Sequence, residues 1–220
     1  MTLRRIMLFT RFERFWHWTQ MILIMTLLFT GFGIHGFHNL LDFKTAVSLH
    51  TGSALALLLL WVFAIFWHLT TGTWRHYVPT SNGLLKVAKF YAFGIFKGER
   101  HPYRKAYWRK HNPLQAVSYL ALKLFLFPAI WISGLLYLLY SFWGGPASGE
   151  ALNWVAMFHT AIAFAILIFV IIHIYLLTTG HSFKEHVMPM ISGFDEVELS
   201  AEEEAYLEKD EPGHIQRITD

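Results

Sequence analysis

Four long stretches of this chain contain no Asp, Glu, Lys or Arg: Phe15 to Leu41, Thr45 to Trp74, Leu124 to Gly149 and Ala151 to Phe183. Each exceeds the roughly 20 residues that a helix rising about 1.5 Å per residue needs to cross about 30 Å of hydrocarbon. Lipid offers no hydrogen bonds to an exposed amide, so the spans must be closed helices rather than open strands. Spans are therefore expected near 15–37, 45–71, 114–141 and 151–178, and the fold class is all-α, an integral membrane four-helix bundle. Burial inside a large soluble protein would require polar faces that these stretches lack. Composition agrees, with 55% of residues apolar and only 15% charged, against about a quarter charged in a soluble domain.

The cations set the orientation. Arg4, Arg5, Arg11 and Arg14 precede the first span, and Arg75, Lys86, Lys89, Lys97, Arg100, Arg104, Lys105, Arg109 and Lys110 fill the connection between the second and third. The other two connections offer Lys44 beside Asp42, and Glu150 with no cation. Both termini and the long connection are thus expected in the cytoplasm. No small-residue cleavage site follows a short apolar core near the N-terminus, so the first span reads as a retained anchor.

Within the long connection, Leu84, Leu85, Val87, Ala88, Phe90, Tyr91, Phe93 and Phe96 alternate with Lys86, Lys89 and Lys97. That spacing fits a short helix lying in the headgroup layer, or else a solvated basic loop. Acidic residues (Asp195, Glu196, Glu198, Glu202, Glu203, Glu204, Glu208, Asp210 and Glu211) crowd the C-terminal tail. Two parts are expected, a transmembrane domain over 1–186 and an acidic cytoplasmic tail over 187–220, partly disordered or surface-bound.

Cysteine is absent. Covalent c-type haem attachment, thiolate-held iron–sulfur clusters, disulfides and Cys-based zinc sites are excluded, so a redox cofactor would be held by His or Met without covalent attachment. Four histidines, His17, His50, His159 and His173, lie within the apolar stretches. His17 and His173 fall near the cytoplasmic ends of the first and fourth spans, and His50 and His159 near the opposite ends of the second and fourth. On the fourth span, fourteen residues separate His159 from His173. That is close to four helical turns, so both imidazoles share nearly one face, roughly 21 Å apart along the axis. Two planar cofactors at two depths fit that geometry. A lone intramembrane His is commonly a hydrogen-bonded packing residue, yet ionisable groups at membrane depth are functional candidates, and four that pair by depth favour ligation.

Other residues compete or assist. His68 returns to the face of His50 but lies roughly 27 Å along the helix, at the membrane edge, so an interfacial role ranks first. His35 and His38 sit at the outer end of the first span, and Met21, Met25 and Met157 read as packing residues. Gly31, Gly33, Gly52 and Gly134 allow close approach of a macrocycle or a helix. Arg11 and Arg14 could neutralise haem propionates or serve only as topology determinants. Pro128 should kink the third span, and Lys123 should snorkel to the cytoplasmic interface unless it pairs with a propionate or quinone.

Several runs carry a family resemblance: Arg14-Phe15-Trp16-His17-Trp18, Leu49-His50-Thr51-Gly52, His111-Asn112-Pro113-Leu114-Gln115, and His159 with His173 on one span. Over roughly residues 11–185 the chain resembles the prokaryotic diheme cytochrome b subunits, which include the formate dehydrogenase gamma subunit and the cytochrome b subunits of thiosulfate reductase and nickel-iron hydrogenase. The resemblance implies two haem b groups, one ligated by His50 and His159 near the periplasm, the other by His17 and His173 near the cytoplasm. It also implies a menaquinone or ubiquinone site lined by Asn112 and Gln115, residues that equally read as a helix start. Pro113 and Leu114 between them depart from some members.

The expected function is that of a respiratory electron-transfer subunit in the bacterial inner membrane, with no catalytic residues of its own. It would link a periplasmic iron–sulfur or multihaem cytochrome subunit and a catalytic subunit to the quinone pool. Membrane lipid, and no nucleic acid, completes the expected partners. The alternatives are a transport or structural protein whose histidines bind protons or a metal, and a self-contained quinol-dependent reductase.

Overall fold

The computed structural model describes residues 2–99, 102, 111–145, 149–178, 183–210 and 213–216. The expected basic residues Arg100, Arg104, Lys105, Arg109 and Lys110 lie outside them. In chain order the elements are β1 (Thr2–Met7), α1 (Arg11–Ile34), α2 (Phe43–Thr71), a 3-10 turn (Thr73–Tyr77), α3 (Leu84–Lys89), α4 (Pro113–Ala121), α5 (Phe127–Leu138), α6 (Tyr140–Trp143), α7 (Gly149–Leu177), α8 (Phe183–Ser192), β2 (Phe194–Leu199), α9 (Ala201–Asp210) and β3 (Ile215–Gln216).

Among the described residues four helices are long and apolar enough to span a membrane: α1, α2, the continuous α4–α5 unit Pro113–Leu138, and α7. The first starts earlier than its uncharged stretch. Thr10 caps it, with its hydroxyl accepting from the Glu13 amide at 3.3 Å while the Glu13 carboxylate accepts from the Thr10 amide at 2.8 Å. This reciprocal box satisfies two orphan amides and places a negative charge at the positive end of the helix dipole. Asp42 caps α2 through the Thr45 amide at 3.0 Å. On the third span, α4 joins α5 through a π-helical turn, Leu122–Leu126. Pro128 follows directly, and the widened turn accommodates a ring that would clash with the carbonyl four residues back.

Within the bundle α1 packs on α2 and α5 on α7. Leu57, Trp61, Leu122, Phe127 and Ile166 form the core, with Leu27, Ile130, Trp131, Ile162 and Phe169 around it. Trp61 meets Phe127 edge-on at 4.3 Å and Trp131 at 4.8 Å, and its indole donates to Gln20 at 2.8 Å. Large apolar side chains such as Phe66, Phe125, Ile168 and Ile172 face outward, as a lipid-facing surface requires. In the second connection, α3 continues through a π turn at Phe90–Gly94 and a 3-10 turn at Ile95–Lys97, so the segment read as a short amphipathic helix is helical.

The chain is mostly helical rather than all-α, because its two ends build a three-stranded antiparallel sheet in the order β2-β1-β3. The pairing runs from Thr2 opposite Leu199 to Met7 opposite Phe194, with Ile6 opposite Ile215 on the other edge. Ile6, Val197, Leu199 and Leu207 form its small core, and Arg4 binds Glu204 at 2.7 Å. The acidic segment folds here because Ser200 and Glu203 make another capping box at the start of α9, at 2.8 and 3.2 Å. Gly193 joins this module to α8 at φ +91, where a Cβ would lie 2.7 Å from the Phe9 carbonyl oxygen. Only glycine fits both demands.

Ile6 is 0% exposed, so Ile6→Ala should cost the terminal module about 2–5 kcal/mol. Amide hydrogen exchange should quicken in β2 and α9 while the helical circular dichroism of the spans is retained.

Candidate functional site

The end of the bundle that carries β1 and α8 is called the terminal end, and the other the opposite end. At the opposite end, α2 presents His50 and α7 presents His159, with ring centres 6.3 Å apart. Two imidazoles that each reach a metal over about 2 Å are separated centre to centre by roughly 6 Å, so this pair fits ligation of one iron from both faces. A neighbouring helix holds each ring. Thr30 on α1 lies 3.0 Å from His50 Nδ1, and Ser133 on α5 lies 3.0 Å from His159 Nδ1. Glycine follows each hydroxyl residue: a Cβ on Gly31 would meet His50 at 3.6 Å, and one on Gly134 would meet His159 at 3.1 Å. Beyond its chain neighbours and its own helix backbone, no described atom lies within 4 Å of a Cβ on Gly52, which leaves open space one helical half-turn from His50.

At the terminal end, α1 presents His17 and α7 presents His173, within electrostatic reach of one another. The Tyr119 hydroxyl on α4 lies 3.2 Å from His173 Nδ1, and Phe169 stacks on that imidazole at 6.1 Å. His17 packs edge-on against Trp18 at 5.3 Å, and its buried Nδ1 has no hydrogen-bond partner among the described residues. A buried, unpaired imidazole nitrogen is costly in a bundle and fits a residue built to meet a ligand. Ile166, seven residues from both His159 and His173, marks the apolar core that separates the two pairs.

The remaining histidines and methionines are placed otherwise. His35 reaches Thr160 at 3.2 Å. His38 stacks on Phe29 at 4.5 Å and bonds the Phe29 carbonyl at 2.8 Å, with Gly33 directly beneath it. His68 is boxed by Trp16, Trp67 and Tyr77. Met21, Met25 and Met157 face outward.

Three other expected site residues have structural duties. Arg14 donates to the Ile191 carbonyl and Trp18 to the Met190 carbonyl at 2.8 Å, so both fasten the C-terminal turn of α8 to α1. Asn112 and Gln115 form a reciprocal capping box at the start of α4, with bonds of 3.1 and 2.9 Å, and the Asn112 amide donates to the Tyr91 hydroxyl at 3.2 Å.

Around them lies a polar and aromatic cluster that the spacing of histidines did not reveal. Glu13 is 1% exposed and accepts a hydrogen bond from Tyr77. Burial first, and the Glu13 carboxylate second, hold the Tyr77 phenol well above its ordinary range, so it stays protonated. The Lys123 ammonium rests over the rings of Trp16 and Tyr77, at 5.5 and 5.2 Å. Tyr77 also packs on His111 at 5.3 Å, and His111 on Tyr119 at 4.7 Å. The cluster therefore runs from a buried carboxylate to His173. Its sequence signal was the lone acid among the basic residues before the first span.

Among the described residues no three His, Cys, Asp or Glu side chains converge as a cage for a bare metal ion. Two ligands per pair is the number that a tetradentate macrocycle leaves open on its iron. The pattern of the prokaryotic cytochrome b561 family matches residues 8–193. The chain belongs to this family. YdhU of Escherichia coli (strain K12), which is named as a cytochrome, is 32% identical over 195 residues, covering 86% of this chain and 74% of the relative. No solved structure matches. This b561-family cytochrome is thus a multi-pass protein of the inner membrane, and membership implies that it binds haem b. All three strands of the terminal sheet lie outside the matched residues.

A side chain at position 134 must displace the His159 ring. Gly134→Val should lower the haem b bound per polypeptide, read from the reduced α-band, with helix content by circular dichroism unaltered.

Proposed function

We propose that this chain is a membrane-anchoring diheme cytochrome b subunit that passes electrons between a partner outside the membrane and the quinone pool. The observation that carries this reading is the two histidine pairs at two depths, each drawn from two helices and separated by an apolar core. When bound, haem b supplies reversible one-electron chemistry at each pair. His50 with His159 would hold one group, and His17 with His173 the other. Thr30, Ser133 and Tyr119 orient the imidazoles, while Leu57, Trp61, Phe127 and Ile166 keep water out of the space between. Roughly 21 Å of helix axis lies between His159 and His173.

The cation bias supports an assignment of sides. Arg4, Arg5, Arg11 and Arg14, with Arg75, Lys86, Lys89 and Lys97, all serve the terminal end, which by the positive-inside rule faces the cytoplasm. His50 and His159 then face a periplasmic iron–sulfur or multihaem cytochrome subunit with its catalytic subunit, a partnership supported by the resemblance to formate dehydrogenase and thiosulfate reductase subunits. Menaquinone or ubiquinone would exchange beside His173, where Tyr119, His111, Asn112 and Gln115 supply polar groups in an otherwise apolar bundle.

Purified protein should contain two low-spin b haems. His50→Ala or His159→Ala should remove or convert one and leave the other; two unaltered low-spin haems in both variants would overturn the ligand assignment. A reporter active only in the periplasm should be silent when fused after Lys97 and active near Asn39, and the reverse would invert the sides.

The capping duty of Asn112 and Gln115 must be kept apart from any contact with quinone. Asn112→Ser with Gln115→Glu preserves a capping box while removing both amides. Haem spectra should persist and quinone-linked haem oxidation should slow by roughly tenfold, the loss of one or two neutral hydrogen bonds. Unchanged quinone kinetics would leave these two residues with capping alone.

A further inference from the structure

We propose that Thr30 and Ser133 are matched positioning residues that hold His50 and His159 in the Nδ1–H tautomer, so that each presents an unprotonated, more basic Nε2 to an iron between them. The proposal rests on the reading of this pair as haem ligands.

A hydroxyl carries one proton to donate. Thr30 Oγ1 lies 2.7 Å from the Thr26 carbonyl and 3.2 Å from that of Leu27. Ser133 Oγ lies 2.6 Å from the Ala129 carbonyl and 3.1 Å from that of Ile130. Carbonyl oxygens only accept, so both hydroxyl protons are committed to the backbone. Toward the imidazole 3.0 Å away, each oxygen can therefore only accept, and the proton of that contact must sit on Nδ1. A ring N–H is the partner that such an acceptor requires.

The device appears twice, with the same internal spacing. A carbonyl four residues back and another three back take the hydroxyl proton, the hydroxyl residue faces the ring, and a glycine follows to make room for it. In both cases it stands on a helix that does not bear the histidine. Back-bonded hydroxyls are common in apolar helices, as at Thr26 and Thr70, which are bonded only to carbonyls. Thr30 and Ser133 differ in being 0% and 3% exposed and in meeting an imidazole. A neutral imidazole whose Nδ1–H is held by an acceptor is a stronger donor at Nε2 and a fixed one in orientation. Stronger donation favours the ferric state, so it lowers the reduction potential. The terminal-end pair lacks this arrangement: His17 Nδ1 has no partner among the described residues, and the Tyr119 hydroxyl beside His173 donates to no backbone carbonyl among them.

The experiment uses the full-length haem-loaded protein and compares Thr30→Val, Ser133→Ala, the double variant, and the conservative Thr30→Ser. In the valine and alanine variants one haem of the two should shift to a higher midpoint potential with a changed low-spin ferric EPR signal, while the other keeps both. Loss of the affected haem to apomyoglobin should quicken by about tenfold or more, and Thr30→Ser should restore all three readouts. Selective 15N labelling of histidine provides a readout that needs no haem: in apoprotein, His50 should show protonated Nδ1 and bare Nε2, and Thr30→Val should mix the tautomers. Faster haem loss with unchanged potentials, EPR and 15N shifts would make the hydroxyls merely structural and overturn the proposal. A wild-type protein with fixed 15N tautomers but no haem at this pair would instead overturn the functional reading and leave the tautomer assignment standing.

Discussion

A span surrounded by lipid must satisfy its own amides, and every other feature of this molecule follows from that demand. Continuous helices are the solution, and a continuous helix fixes where each side chain appears along and around it. His159 and His173 meet partners from two different helices because α7 runs unbroken from Gly149 to Leu177. The same demand governs side chains. A hydroxyl in a span bonds a carbonyl of its own helix, and at Thr30 and Ser133 that local satisfaction leaves an oxygen lone pair turned to a histidine on the neighbouring helix.

The spans and the spacing of His159 and His173 along one helix were legible because both depend on local pattern: length without charge for the first, helical periodicity for the second. Contacts between helices were not, since nothing local pairs Thr30 with His50 or Ser133 with His159. Asn112 and Gln115 show the opposite situation, in which a local rule was sufficient. Asn followed by Pro with Gln at the third helical position is a helix start, and both side chains are in fact joined in a capping box. Arg14 was read by charge and depth, but the α8 carbonyl that accepts its hydrogen bond lies far along the chain.

Acidity misdirected the reading of the C-terminal segment. Phe194 to Leu199 alternates in the manner of a strand, and Ser200 with Glu203 is a capping signature, yet the density of Asp and Glu suggested a partly disordered or surface-bound tail. The missing term was the partner. Arg4 and Arg5 lie on β1, opposite Val197 and Glu196, so the positive and negative ends of the sequence neutralise one another across the sheet. Glu13 was similarly hidden among cations, although its burial under Tyr77 places a carboxylate at the head of the first span.

Synthesis order gives the terminal sheet an unusual property. Its central strand, β1, leaves the ribosome before the four spans, while the strands on either side of it, β2 and β3, leave after them. For the whole period in which four helices enter the membrane, β1 waits with both edges open, a state in which wrong pairing is a hazard and in which flanking arginines are protective. Closure joins segments on either side of the four spans and turns the intervening bundle into a loop tied at one point. A chain in which the final span alone had failed to cross would carry β2 and β3 on the other side of the bilayer from β1, so the closed sheet is a mechanical record of an even number of crossings.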